Sequence, residues 1–138
     1  MTFAAARLAL TTQFELALAA HALPRPNVQY DNRNLIDTKT QVDPYVSFNI
    51  VNVNGKQLDL SNKPMSAQYG QMILTVMIKE NGGTGKVDLL MDHFLPRLEL
   101  KELGAVRTHT GMAAKCFAKN GWDCHPIVIP FWWLRVAT

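Results

Sequence analysis

The 138-residue chain is 48% hydrophobic and 18% charged, a balance that excludes a disordered polymer and supplies enough apolar side chain for one folded domain over residues 1–138. No apolar run approaches the roughly 20 residues that a membrane-spanning helix needs. The net charge of +3 comes from basic residues scattered along the chain, among them Arg25, Lys39, Lys56, Lys101, Arg107 and Lys119, so it permits nucleic-acid contact without locating it.

Residues 2–23 have the apolarity of a leader peptide, but Arg7, Gln13 and Glu15 interrupt them at helical spacing. They read as a helix. Thr2 is placed to cap it, and Phe3, Leu10, Phe14, Ala17 and His21 form one stripe with Leu18 at its border. Pro24 and Pro26 end it. A short strand is expected at Val28 to Tyr30, followed by a polar loop over residues 31–43, long for a compact domain. Residues 44–53 alternate Val46, Phe48 and Ile50 against Ser47 and Asn49, the pattern of a strand with one buried face. Asn54-Gly55 offers a hairpin turn, although the return over 57–60 is weak and Ser61-Asn62-Lys63-Pro64 breaks the chain again.

Residues 66–98 form the unit around which the remainder is arranged. Met72, Leu74, Val76 and Ile78 fall on one face of a long strand, and Asn81-Gly82-Gly83-Thr84-Gly85 supplies the positive φ angles needed to stop and reverse it. Thr84 then caps a helix in which Val87, Leu90, Met91, Phe94 and Leu95 recur at three and four residues. Pro96 predicts that this helix ends near Leu95, because proline disfavours helical geometry in the residue before it. The helix must cover a sheet.

Residues 97–104 read as a connection and 105–112 as a further strand. Asn120-Gly121 marks a tight turn between arms at 115–118 and 122–125. That turn sets Phe117 opposite Cys124 and Cys116 opposite His125, so the two sulfurs point to opposite faces and cannot bond unless a bulge changes the register. The closing strand, 127–136, is apolar on both faces, and Pro126 and Pro130 predict an edge position or a bulge for it. An edge strand apolar on both sides needs a partner, either the helices and the extra hairpin of the same chain or a second subunit.

The chemical motifs fail on spacing. Gly82-Gly83-Thr84-Gly85-Lys86 lacks the earlier glycine of a phosphate loop, where Glu80 stands, and has Val87 where a magnesium-binding Ser or Thr belongs. His109, Cys116, Cys124 and His125 match no zinc pattern. Ser47, Ser61 and Ser66 have no nucleophile-elbow context, and Asp88, Asp92, Glu99 and Glu102 fit a solvated helix face and connection better than a catalytic pair. The expectation is a non-enzyme with no cofactor and no metal.

The order of elements resembles the tail terminator, or tail completion, proteins of long-tailed bacteriophages. The resemblance is carried by the Ala-rich first helix, the strand ending Thr75-Val76-Met77-Ile78 followed by Gly82-Gly83-Thr84-Gly85, the helix from Val87 to Phe94, and the closing Ile127-Val128-Ile129-Pro130-Phe131. It implies an α/β (α+β) fold whose mostly antiparallel or mixed sheet packs two helices on one face and bears an additional hairpin. It further implies a virion protein made in the host cytoplasm, a ring of commonly six subunits that ends the tail tube and docks to the neck at the head–tail junction. The partners implied are a second copy of the chain, the tail tube protein, the head–tail connector, and DNA passing through the lumen without sequence-specific binding; no membrane is involved. Independently of the resemblance, Val51, Val53, Ile73 and Met77 fall on the strand face away from the helices. With Trp132 and Trp133 of the closing strand they are the expected subunit interface. The polar loops carrying Arg33, Lys39, Lys56 and Lys63 are expected to dock partners. The rival readings are a head-side neck protein and, from another class, a small basic nucleic-acid-binding module.

Overall fold

The computed structural model describes residues 1–20, 26–31, 44–58, 65–80 and 85–136. In chain order these form α1 (Phe3–Ala19), β1 (Asn27–Tyr30), β2 (Tyr45–Gln57), β3 (Met65–Lys79), α2 (Gly85–Leu98), β4 (Glu102–Leu103), β5 (Val106–Thr108), β6 (Met112–Ala113), β7 (Phe117–Lys119) and β8 (Trp122–Val136). The fold is α+β. A mixed sheet runs β1-β2-β3-β8-β5-β4, with β6 and β7 also paired to β8, and every pairing except the parallel β1–β2 is antiparallel.

Both helices lie on one face of the sheet, because that is where the apolar periods converge. Thr2 Oγ1 accepts from Ala5 N at 3.1 Å and starts α1, whose Ala6, Leu10, Phe14, Ala17 and Leu18 are buried. Phe14 joins the layers: its ring stacks on Phe48 of β2 at 4.2 Å and on Phe94 of α2 at 5.6 Å. Met72, Leu74, Val76 and Ile78 of β3 and Ile127, Ile129, Phe131 and Trp133 of β8 complete this core, as their period of two requires. Polar groups lock the helices together. His93 Nε2 donates to the Ala17 carbonyl at 2.7 Å and Gln13 Nε2 to the Arg97 carbonyl at 2.8 Å, each satisfying an acceptor in a last helical turn.

Four expectations are corrected. The helix α2 passes through Pro96 to Leu98. A proline in the last turn removes a single donor, while Leu98 is fully buried and its carbonyl accepts from the buried Thr108 hydroxyl at 2.7 Å, which holds that turn in place. Asn54-Gly55 is no hairpin turn. The strand β2 continues to Gln57 through a bulge at Val53, where Asn52 pairs with Gly70 and Asn54 with Tyr69. The strand expected over 105–112 is two short pieces, β5 and β6. The closing strand is central, continuous with the hairpin arm from Trp122, with β3 on one side and β5, β6 and β7 on the other.

The prolines of β8 explain that segmentation. The backbone N–H and C=O of one antiparallel residue point to the same side, and the carbonyls of Pro126 and Pro130 accept from Ala114 N at 2.9 Å and His109 N at 2.8 Å on the outer side. Their missing donors therefore also face outward, leaving the ladder to β3 intact. Each proline falls in a gap between the short outer strands, Pro126 between β7 and β6 and Pro130 between β6 and β5. The Asn120-Gly121 turn forms as expected, with φ of 52° and 82° and Phe117 opposite Cys124.

Candidate functional site

The sheet face away from the helices is the surface that needs a function. Alternation places on it Trp122, Cys124, Val128, Trp132 and Leu134 from β8, and opposite them Met77, Ile73, Tyr69 and Ala67 from β3. From β2 it receives Tyr45, Ser47, Asn49 and Val51, opposite Met77, Thr75, Ile73 and Gln71. Neither helix lies on it, although Tyr45, Ser47, Ala67, Thr75, Trp122 and Cys124 on this face are buried. Ser47 and Thr75 form a buried polar pair across the middle, with Asn49 Nδ2 donating to Ser47 Oγ at 3.2 Å. Ile73, Met77 and Val128 remain half-exposed around that pair, as does Trp132 farther along β8.

The two ends of this face differ. At one, Tyr45 packs edge-on to Trp122 at 4.8 Å and Cys124 lies beneath them, all three buried. Burial pushes both the Cys124 thiol and the Tyr45 phenol above their ordinary values. Cys124 is a core thiol. Cys116 is exposed on the other face, its sulfur 3.6 Å from His125 Nε2. The second end is open. The bulge reverses the side-chain parity of β2, so past Val53 it is Asn54 and Lys56 that share the face with Tyr69 and Ala67. Register then lines up one row across five strands, Asn54, Tyr69, Trp132, Arg107 and Glu102. The Arg107 guanidinium lies 5.9 Å from the centroid of the Trp132 ring, with Glu102 at 3.7 Å.

The outer edge of β2 is finished by side chains where β1 stops. Asp31 accepts from Ile50 N at 3.2 Å, Arg7 donates to the Ile50 carbonyl at 3.3 Å, and the two side chains pair at 2.9 Å. Together they stand in for the next residue of a paired strand.

The expected interface residues are therefore only partly together. Val51, Ile73, Met77 and Trp132 share the open face, and Val53 is the extra residue of the bulge, 57% exposed. Trp133 is corrected. It is fully buried on the helix side, its ring meeting Phe3 edge-on at 5.0 Å, because alternation along β8 sends adjacent tryptophans to opposite faces. Of the expected docking cations Lys56 is exposed on the open face, while Arg33, Lys39 and Lys63, with His21 and the turn over 81–84, lie outside the described residues. Sequence reading missed the Tyr69–Trp132–Arg107 row. The residues are 25 or more positions apart in sequence and become neighbours only through strand register.

Among the described residues no three His, Cys, Asp or Glu side chains gather as a metal site, and no helix is long and apolar enough to cross a membrane. No family model matches the chain, and no curated protein does. Eighteen chains among solved structures match it. One, named only by a sequence identifier, superposes with a TM-score of 0.70 at 11% identity, covering 96% of both chains. At that identity the likeness is one of fold.

Proposed function

We propose that the chain is a structural assembly protein that forms a ring, terminates polymerisation of a phage tail tube and makes the tail side of the head–tail junction. The observation that carries the self-assembly step is the open sheet face, where Val51, Ile73, Met77, Val128 and Trp132 stay accessible in the single chain. A solitary protein gains by keeping such a face polar, whereas a subunit uses it for burial. The order of elements that resembles tail terminators supplies the particular assembly, with the tube protein and the neck connector as partners and DNA passing through the lumen. A small basic nucleic-acid-binding module is the second reading, and the Tyr69–Trp132–Arg107 row favours it by interleaving aromatic and cationic groups.

The test is negative-stain microscopy of the purified chain, alone and mixed with a phage tail-tube protein. Rings that cap tube ends and fix tube length support the proposal. Tubes that ignore the chain overturn it, and salt-resistant, sequence-selective DNA binding favours the second reading.

A further inference from the structure

Two unpartnered surfaces of this chain are complementary and lie on opposite sides of the sheet. On the open face, Tyr69 and Trp132 form an apolar centre with Arg107 on one flank and Lys56 on the other. On the helix side, the outer surface of α2 carries a groove of about 410 Å³ lined by Asp88, Met91, Asp92, Leu95 and Pro96. Leu89 stands beside it, 71% exposed. Asp88 and Asp92 are one helical turn apart, roughly 6 Å along the axis, a spacing a planar guanidinium can bridge. The adjacent cation Arg97 does not neutralise them locally, since its guanidinium donates to the His93 carbonyl at 2.8 Å.

We infer that the groove on α2 of one copy receives the Arg107–Trp132–Tyr69–Lys56 patch of a second copy, an inference that rests on the self-assembly reading above. Arg107 enters between Asp88 and Asp92 over the apolar floor of Met91 and Leu95, and exchanges its loose contact with Glu102 for two carboxylates. The exposed Leu89 meets the aromatic pair. Charge favours this occupant: a cation-flanked apolar patch and an acid-rimmed apolar groove belong to the same chain, and apolar contact supplies the affinity while the charges set the orientation. Because the two halves lie on opposite sides of the sheet, the contact is heterologous. Each added copy leaves one half free at either end, so the contact builds a ring where the rotation between copies closes and an open filament where it does not, and never a two-fold dimer.

The test is a charge-swap mixing experiment. One variant carries Arg107→Glu with Lys56→Glu, the other Asp88→Lys with Asp92→Lys, and circular dichroism and thermal midpoints establish that both fold. Each alone should lose self-association by at least about tenfold in apparent Kd, and an equimolar mixture should recover it, because every junction in an alternating assembly again joins opposite charges. Wild-type assembly should also weaken as salt rises. A wild-type oligomer unaffected by either variant, or a mixture that stays dissociated, overturns this inference and leaves the ring reading standing. Loss of single-stranded oligonucleotide binding in the Arg107→Glu variant with its oligomer intact overturns it in favour of a nucleic-acid surface. A wild-type chain that stays monomeric at its highest soluble concentration, with tail-tube protein as without it, overturns both.

Discussion

Gly70→Ala probes the junction between the covered sheet and its open end. Gly70 pairs with Phe131 on one side and with Asn52, just before the bulge, on the other. A Cβ built there would lie 2.4 Å from Phe131 Cζ and 2.5 Å from the Val51 carbonyl oxygen. The ring could tilt, but the carbonyl belongs to the backbone of β2, so strands β2 and β3 must shift by about an ångström to restore ordinary contact near 3.5 Å. Overpacking of this kind costs about 1–3 kcal/mol, offset by about 0.5–1 kcal/mol as alanine replaces a glycine inside a strand. The net loss is expected to be about 1–2 kcal/mol. With a urea slope of about 2 kcal/mol/M, the midpoint should fall by roughly 0.5–1 M. Phe131→Leu in the same chain should relieve only the ring's share, so Gly70→Ala stays destabilising in that background. Gly85→Ala, where a Cβ meets nothing within 4 Å, serves as the control and should be neutral or stabilising. A Gly70→Ala midpoint equal to or above wild type would refute the close approach.

Phe14→Ala removes the fully buried ring that joins α1, α2 and β2, and should cost about 3–5 kcal/mol in urea unfolding with the assembly lost alongside. Leu100 and Gly121 should respond oppositely to backbone-directed changes. Leu100 sits at φ 54° and is largely exposed, so Leu100→Gly should raise the thermal midpoint slightly, whereas Gly121→Ala at φ 82° should lower it by the equivalent of about 1 kcal/mol. Stability should also fall in alkali. Cys124 and Tyr45 both hold their protons more tightly folded than unfolded, so stability is level below the ordinary thiol range near about pH 8.5 and declines as pH rises through it. Cys124→Ala should flatten the first part of that decline in a pH series of urea midpoints.

What could be read from the residues was what local periodicity controls. Leu10, Phe14 and Ala17 of the first helix, the alternation from Met72 to Ile78 and the Asn120-Gly121 turn each depend on residues close in sequence and formed where expected, while Phe3 at the start of the helical stripe is exposed. The failures share a different cause. Pro126 and Pro130 indicated an edge by their missing donors, yet a strand has two sides and the outer neighbour is interrupted at both prolines. Asn54-Gly55 has the chemistry of a turn, but cross-strand pairing with Tyr69 and Gln68 carries it straight on. Pro96 was outweighed by the burial of Leu98. The open face was legible in part, since Val51, Ile73 and Met77 follow from period two within single strands. The Arg107 row was not, because it depends on the register of five strands and on a bulge that reverses the parity of one of them.

Sedimentation velocity over a concentration series, with and without tail-tube protein, decides whether the open sheet face closes a ring. The expected species has a mass that is a fixed multiple of the 15.5 kDa chain and stops growing as concentration rises, because a closed ring has no free end. Sedimentation at 15.5 kDa at every concentration, in the presence of tube as in its absence, would contradict it.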